Sequence, residues 1–256
     1  MEEIGGKLDK IVKHTTPKSS FMLTFTGKGS KIEKDFEPEI SVTAGCHYEI
    51  AFTSLETYHS IPNVDETNNV LPIKQGKSLT DIKIETGCYG LLDLDREIRR
   101  KLKELGMEKA VTFEPNYSTF KCIMTIEAGY EVDFTGKKGY LNTILGFNNA
   151  LYKAGKHDKR FESEKTVNIM KVNSILVHCN LVGGSYLNGR KAPIIYSFFP
   201  LADPGEKIVE KPTEYIYLPI YSDVIRHMTV WLTDQELKPL NLRGETLTVE
   251  FHLRSC

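Results

Sequence analysis

The tetrapeptide Gln75–Ser78 is the first place where residue types and spacing suggest chemistry. Its Gly-Lys-Ser end matches the close of a phosphate-binding loop, whose backbone amides surround a phosphate while the lysine contacts it. Such a loop also needs a glycine five residues before Gly76, but Leu71 occupies that position and Pro72 follows it. The spacing therefore does not favour nucleotide binding.

A metal site is the second candidate. His47 and Glu49 have the His-x-Glu spacing that iron-binding jelly-roll enzymes place on one strand. The third ligand would come from a distant histidine, which could be His178, His227 or His252. Two glycine-bounded motifs should accompany such a site, and the sequence contains neither. The simpler interpretation places His47 at a strand start and Glu49 in solvent, so a metal-dependent jelly-roll enzyme is kept only as an alternative.

Nucleophilic catalysis has no recognisable motif in this chain. There is no Gly-x-Ser-x-Gly elbow, and no cysteine lies within a known catalytic signature. We therefore predict no catalytic, cofactor-binding or metal-binding residues and no enzymatic activity. The cysteines are widely scattered and are expected to be reduced: Cys46, Cys88, Cys122, Cys179 and Cys256.

The composition is that of an ordinary globular protein. Hydrophobic residues make up 40% of the chain, and the formal net charge is −1, which argues against a protein that coats nucleic acid with its whole surface. No secretory signal is visible, and no stretch approaches the roughly 20 apolar residues of a membrane span. We expect a protein that is not secreted and does not enter a membrane.

Residues 1–19 are polar and basic without a sustained period, which indicates a flexible arm that could touch DNA phosphates weakly. From residue 20 onward, apolar and polar residues alternate as they do in half-buried antiparallel strands. The clearest row is Leu247, Val249, Phe251 and Leu253. Turn-forming residues separate such runs, so residues 20–256 are predicted to form one β domain.

One segment has a helical period instead. From Asp93 to Leu105 apolar residues recur every three or four positions among charged ones, which predicts an amphipathic helix that Asp93 caps and Gly106 ends. A shorter helix or turn is expected within Leu141–Phe147. With no fixed repeat and no strand–helix alternation, the sequence predicts a mainly β jelly-roll sandwich with long connections.

An ordered set of segments resembles a known family. The segments are residues 51–69, 85–94, 145–147, 167–169, 172–173, 184–189, 198–200, 217–219 and 243–253. In this order they resemble the penton, or minor capsid, protein of Polinton (Maverick) elements and adintovirus-like DNA viruses. The chain departs from that pattern at Cys88 and Gly90, where Ser and Glu would be expected. No single motif is diagnostic; the ordered set is.

The resemblance implies a structural virion protein. It implies a jelly-roll subunit that forms homopentamers at the five-fold vertices of an icosahedral capsid, beside a double jelly-roll major capsid protein. The protein would be made in the host cytoplasm and assembled there or in the nucleus. A lectin-like or cytokine-like ligand-binding module is an alternative, although such modules are usually secreted and disulfide-bonded.

Two long loops are predicted to contact neighbouring subunits. They are Ser60–Asn69, with Pro62 and Asn63, and Ala202–Pro212, with Pro204 and Gly205. The prediction follows from the need of a shell subunit for exposed connections between its strands.

Overall fold

The computed structural model describes residues 19–41, 47–136, 139–222 and 224–255. Of the predicted arm at residues 1–19, only Ser19 is among them, and its carbonyl oxygen accepts the Ser255 N–H at 2.9 Å. The described residues are mostly antiparallel β-sheet, which confirms the predicted fold class. None of their helices is long and apolar enough to cross a membrane.

Most strands are short. In chain order they are β1 (Ser20–Lys28), β2 (Lys31–Ser41), β3 (Tyr48–Tyr58), β4 (Val70–Gln75), β5 (Ser78–Lys83), β6 (Val111–Asn116), β7 (Lys121–Ile126), β8 (Tyr130–Asp133), β9 (Leu151–Lys153), β10 (Lys159–Thr166), β11 (Ile175–Cys179), β12 (Ser185–Leu187), β13 (Arg190–Ala192), β14 (Ile194–Phe198), β15 (Lys207–Glu210), β16 (Leu218–Ile220), β17 (Val224–Thr233) and β18 (Thr246–Ser255). The helices are α1 (Leu91–Glu104) and α2 (Asn142–Leu145).

The outermost strands of the sequence pair in a nested order. Strand β1 pairs with β18, β2 with β17, β3 with β15 and β16, and β11 with β14, all antiparallel. Strand β18 also pairs with β3, and β17 with β11, which joins these strands into two sheets. Nested pairing within two facing antiparallel sheets is the topology of a jelly roll.

The two sheets bury their facing sides in one hydrophobic cluster. The alternating row Leu247, Val249, Phe251 and Leu253 is completely buried there, as its sequence pattern predicts. The Phe251 ring lies edge-on to Phe25, with 6.0 Å between ring centroids. Because successive residues of a strand face opposite sides, the intervening residues of β18 are only partly buried.

A second hydrophobic cluster interrupts the jelly roll between β3 and β11. It is formed by residues from 64–170, which we name the inserted module, and Leu71, Ile98, Phe113 and Phe134 are among its fully buried side chains. The module contains β4–β10, α1 and α2. The alternating pattern of the sequence does not indicate this separate core, and a single domain over residues 20–256 stays a prediction.

Several connections meet at the end of the sandwich that carries the inserted module. The Gly29 N–H donates to the Glu245 carbonyl oxygen at 2.9 Å, which joins the β1–β2 turn to the β17–β18 connection. The His59 N–H donates to the Glu206 carbonyl oxygen at 2.8 Å, which joins the end of β3 to the β14–β15 connection. The inserted module is therefore attached at the end of the sandwich where three other connections lie: β1–β2, β14–β15 and β17–β18.

Helix α1 confirms the predicted amphipathic helix but starts earlier. It begins at Leu91 after Gly90, and no side chain caps it, so the prediction that Asp93 is the cap is wrong. Asp93 lies in the first turn and pairs with Arg96 at 2.8 Å. The chain leaves the helix at Gly106, whose φ of +71° suits glycine at this position.

Asp95 was expected on the solvent-exposed side of this helix, but the structure places it on the buried side. It is buried, its Oδ1 accepts the Phe113 N–H at 2.8 Å, and its Oδ2 pairs with Arg99. Hydrogen bonds from a backbone N–H and from an arginine offset the desolvation cost of a buried carboxylate. Asp95 therefore fastens α1 to β6.

The short helix expected within Leu141–Phe147 is confirmed as α2. Gly146 follows it with a φ of +81°, and a Cβ there would collide with the Lys165 carbonyl oxygen. This contact fixes the chain after α2 against the end of β10.

Strand β11 was expected to be half-buried, but all of its residues are buried. Its outward-facing His178 stacks on Trp231, with 4.9 Å between ring centroids. The Thr233 hydroxyl donates to the Asp234 carbonyl oxygen, so it accepts the His178 Nε2–H at 2.8 Å. The His178 Nδ1 has no hydrogen-bond partner among the described residues, and burial lowers the pKa of His178 to about 4.

This lowered pKa predicts a specific loss of stability in mild acid. Between the ordinary value of 6.5 and about 4, the unfolded chain binds a proton at His178 that the folded chain does not. Folding stability should therefore fall as pH drops through this window, by about 2 kcal/mol at pH 5 relative to pH 7.5. Urea unfolding at both pH values measures it.

The control for this prediction is His178→Asn, which cannot titrate. Because other groups titrate too, the test is the difference between the pH dependences of wild type and variant. Equal pH dependences would contradict the proposed role of His178. Trp231 is the only tryptophan of the chain, so its fluorescence follows the unfolding transition.

Candidate functional site

The two loops predicted to contact neighbours lie side by side in the structure. Together they line a groove of about 250 Å³ between the sandwich and the inserted module, which we name the junction groove. Residues 59 and 61–63 line it from one loop and 200–204 from the other. Residues 88–90 and 169–170 line it from the module, and 171–172 from the segment that follows the module. The lining is mostly apolar.

Hydrogen bonds hold the two loops in place. The Gly205 N–H donates to the His59 carbonyl oxygen at 2.9 Å, and the His59 Nδ1–H donates to the Ala202 carbonyl oxygen at 2.6 Å. The Ser60 hydroxyl donates to the Leu242 carbonyl oxygen at 2.7 Å. These bonds fix the wall of the groove independently of any partner.

Asn63 fastens the inserted module to the sandwich. It is buried, and its Nδ2 donates to the carbonyl oxygens of Tyr89 at 2.7 Å and Ile169 at 3.0 Å. Its Oδ1 accepts the Tyr89 N–H at 2.9 Å. One side chain thus joins the loop after β3 to two segments of the module.

An ion pair reinforces the same junction. Lys171 Nζ lies 2.7 Å from Asp65 Oδ2, and the Lys171 carbonyl oxygen accepts a hydrogen bond from Gln235 at 3.1 Å. Burial alone would raise the pKa of Asp65, but hydrogen bonds from Lys171 and Thr67 outweigh it and lower the pKa. The carboxylate therefore stays charged at neutral pH.

The four residues singled out from the sequence have different surroundings. Pro62 and Asn63 are buried and form part of the groove lining. Pro204 and Gly205 are exposed, and Gly205 has a φ of +87°, as its turn requires. Contact of these residues with a neighbouring subunit stays a prediction.

Exposed apolar side chains next to the groove were missed by the sequence analysis. Leu201 is 94% exposed, Phe199 69% and Met170 65%, and Leu201 and Met170 line the groove. The missed signal is the apolar run that continues from β14 through Phe199 and Leu201, where a solvated loop would be polar. Such a concentration of apolar surface is typical of interaction sites.

The opposite end of the sandwich carries a second set of exposed apolar side chains. Tyr186, Tyr215, Ile216 and Tyr221 are each more than half exposed. Tyr221 lies beside Gly183, which precedes β12. Both ends of the jelly roll therefore present apolar surface.

The residues of the alternative metal site do not assemble. Glu49 pairs with Arg254, and both ring nitrogens of His252 are engaged, by Ser20 at 2.5 Å and Tyr217 at 2.7 Å. His178 is buried against Trp231. In the described part of the chain, no three His, Cys, Asp or Glu side chains come together in a way that could hold a metal ion.

Comparison with known proteins reveals a likeness of fold. No protein-family model and no curated protein matches the sequence. A crystal structure of the mavirus penton protein superimposes with a TM-score of 0.50 and 10% sequence identity, covering 94% of this chain and 100% of that chain. The likeness includes the inserted module as well as the jelly roll, since almost the whole chain is covered.

Removing the Asn63 amide should weaken the junction. In Asn63→Ala, two carbonyl oxygens and one N–H lose their partner in a buried place, so we expect a loss of about 2–4 kcal/mol in unfolding free energy. Urea denaturation measures it. The matched control is Asn173→Ala, because Asn173 is exposed and should change stability by less than about 0.5 kcal/mol. Equal midpoints for both variants would show that Asn63 does not carry the junction.

Proposed function

We propose that this chain is the penton subunit of an icosahedral capsid. The observation that carries the proposal is the nested jelly roll with its inserted module, a fold shared over 94% of the chain with the mavirus penton protein. The role is structural and not catalytic. It agrees with the resemblance of the ordered sequence segments to the penton proteins of Polinton elements and adintovirus-like viruses.

The proposed assembly is a homopentamer at each five-fold vertex. Identical subunits in a ring meet through heterologous contacts, in which one surface patch meets a different patch of the next copy. The exposed apolar side chains Phe199 and Leu201 and the neighbouring Pro204 and Gly205 provide one such patch. Pro62 and Asn63, which are buried and line the same groove, would hold that patch in position.

The proposed partners follow from the same role. The pentamer would sit in a shell of double jelly-roll major capsid protein, and the basic residues of the arm at 1–19 would make weak contacts with packaged DNA. Residues 20–256 would act as one capsid domain. We propose synthesis in the host cytoplasm, assembly there or in the nucleus, and residence in the virion capsid.

The experiment is sedimentation and electron microscopy of the purified protein, alone and with its major capsid partner. We expect five-fold rings that occupy shell vertices. A protein that stays monomeric and never joins the shell would refute the proposal.

A single charge should break the ring. In Leu201→Glu, a side chain that is 94% exposed in the single chain would lose its burial between subunits, at a cost of about 1.5–3 kcal/mol per contact. Sedimentation should show a shift from pentamer toward monomer. Leu105→Glu is the matched control, since Leu105 is 53% exposed and follows the end of α1 that is remote from the groove-lining Gly90. Equal pentamer content in both variants would exclude Leu201 from the interface.

A further inference from the structure

A second groove lies on the inserted module, away from the junction. It has a volume of about 740 Å³ and is lined by residues 142–143, 146–149 and 165–168. Four asparagines and two threonines are among these residues, and Lys165 supplies the only charge. We name it the amide groove.

The floor of the amide groove is rigid. Asn142 is buried, and its Nδ2 donates to the Phe147 carbonyl oxygen at 3.2 Å and to Asn149 Oδ1 at 2.7 Å. Gly146 presses against the Lys165 carbonyl oxygen in a conformation that suits glycine. The loop after α2 is therefore held in place without a ligand.

Several backbone donors of the groove are already used. The N–H groups of Lys165 and Asn168 donate to the Gly146 and Ile144 carbonyl oxygens, at 2.9 Å and 2.7 Å. The Asn148 N–H donates to Glu164 Oε2 at 2.9 Å. Added strands and peptides bind mainly through free backbone groups, so this groove is a poor place for them.

Side-chain groups, in contrast, are free. Asn148, Asn168 and Thr166 are exposed, and their side chains make no hydrogen bonds to other described residues. Asn149 uses only its Oδ1, which leaves its two N–H groups for a ligand. An amide offers both donors and acceptors, and this combination complements a hydroxyl group, which is also both.

The turn between β6 and β7 adjoins the groove and carries two exposed aromatic residues, Tyr117 and Phe120. The Phe120 carbonyl oxygen accepts the N–H of Val167, a lining residue, at 2.9 Å. Phe120 and Tyr117 are each 74% exposed, and Phe120 has a φ of +55°, which is unusual for an aromatic residue. The negative faces of such rings attract polarised C–H groups, which line one side of a sugar ring.

We propose that the amide groove, together with Tyr117 and Phe120, binds a carbohydrate unit of a glycan. Free amides for hydroxyl groups and adjacent exposed rings for C–H groups are the two parts that sugar recognition needs. The Lys165 ammonium group would donate to the carboxylate where the sugar is acidic. The site lies outside the junction groove, so this inference is independent of pentamer formation.

The test uses the full-length protein on an array of neutral and sialylated oligosaccharides, followed by saturation-transfer NMR with the best-bound glycan. Wild type should bind at least one glycan. The double variant Asn148→Ala/Asn168→Ala should bind it about tenfold more weakly, because it removes two amides that hold the sugar. Asn173→Ala, an exposed asparagine outside the groove, should bind as wild type does.

Phe120→Asn is a second, independent variant. Asparagine tolerates a positive φ, so the backbone is kept while the ring is lost, and binding should weaken. Binding of no glycan by wild type, or undiminished binding by the double variant, would overturn the proposal. Sedimentation of the same variants separates this outcome from a failure of pentamer assembly.

Discussion

The pairing of β18 with both β1 and β3 is the constraint on which the rest of the structure depends. These three strands are neighbours in one sheet, with β18 in the middle, and the buried row from Leu247 to Leu253 supplies much of the core under it. A shift of one residue in this register would turn the whole row toward solvent. The register therefore fixes how the second sheet packs, and with it the ends from which the loops emerge.

The inserted module adds a second level of organisation. It has its own core and joins the sandwich through a small set of polar contacts, of which Asn63 and the Asp65–Lys171 ion pair are central. Polar junctions need exact geometry, because an unpaired buried group is costly. The module is thus oriented by a few directional bonds, and the junction groove between it and the sandwich has a mostly apolar lining.

The sequence predicted what periodicity can express and missed what depends on distant neighbours. Alternation identified β1 and β18, and the helical period identified α1. Asp95 resembled any surface carboxylate, because its burial depends on Phe113, and His178 is covered by Trp231 from another strand. The separate core of the module was invisible, since composition does not change at its borders. The two predicted loops do meet in one groove, but Leu201, its most exposed apolar residue, was not recognised.

The joining of the first described strand to the last has a consequence for how the chain is made. Thr24 and Glu250, which face each other in β1 and β18, are 226 positions apart. A ribosome needs roughly 10–45 s to cover that distance. During this time the inserted module can fold, because its strands pair with one another. Strands β1 and β3 cannot complete their sheet, because β18, which pairs with both, has not yet been made. The apolar faces of β1 and β3 therefore stay uncovered until β18 is made, and a chain in that state is prone to aggregate.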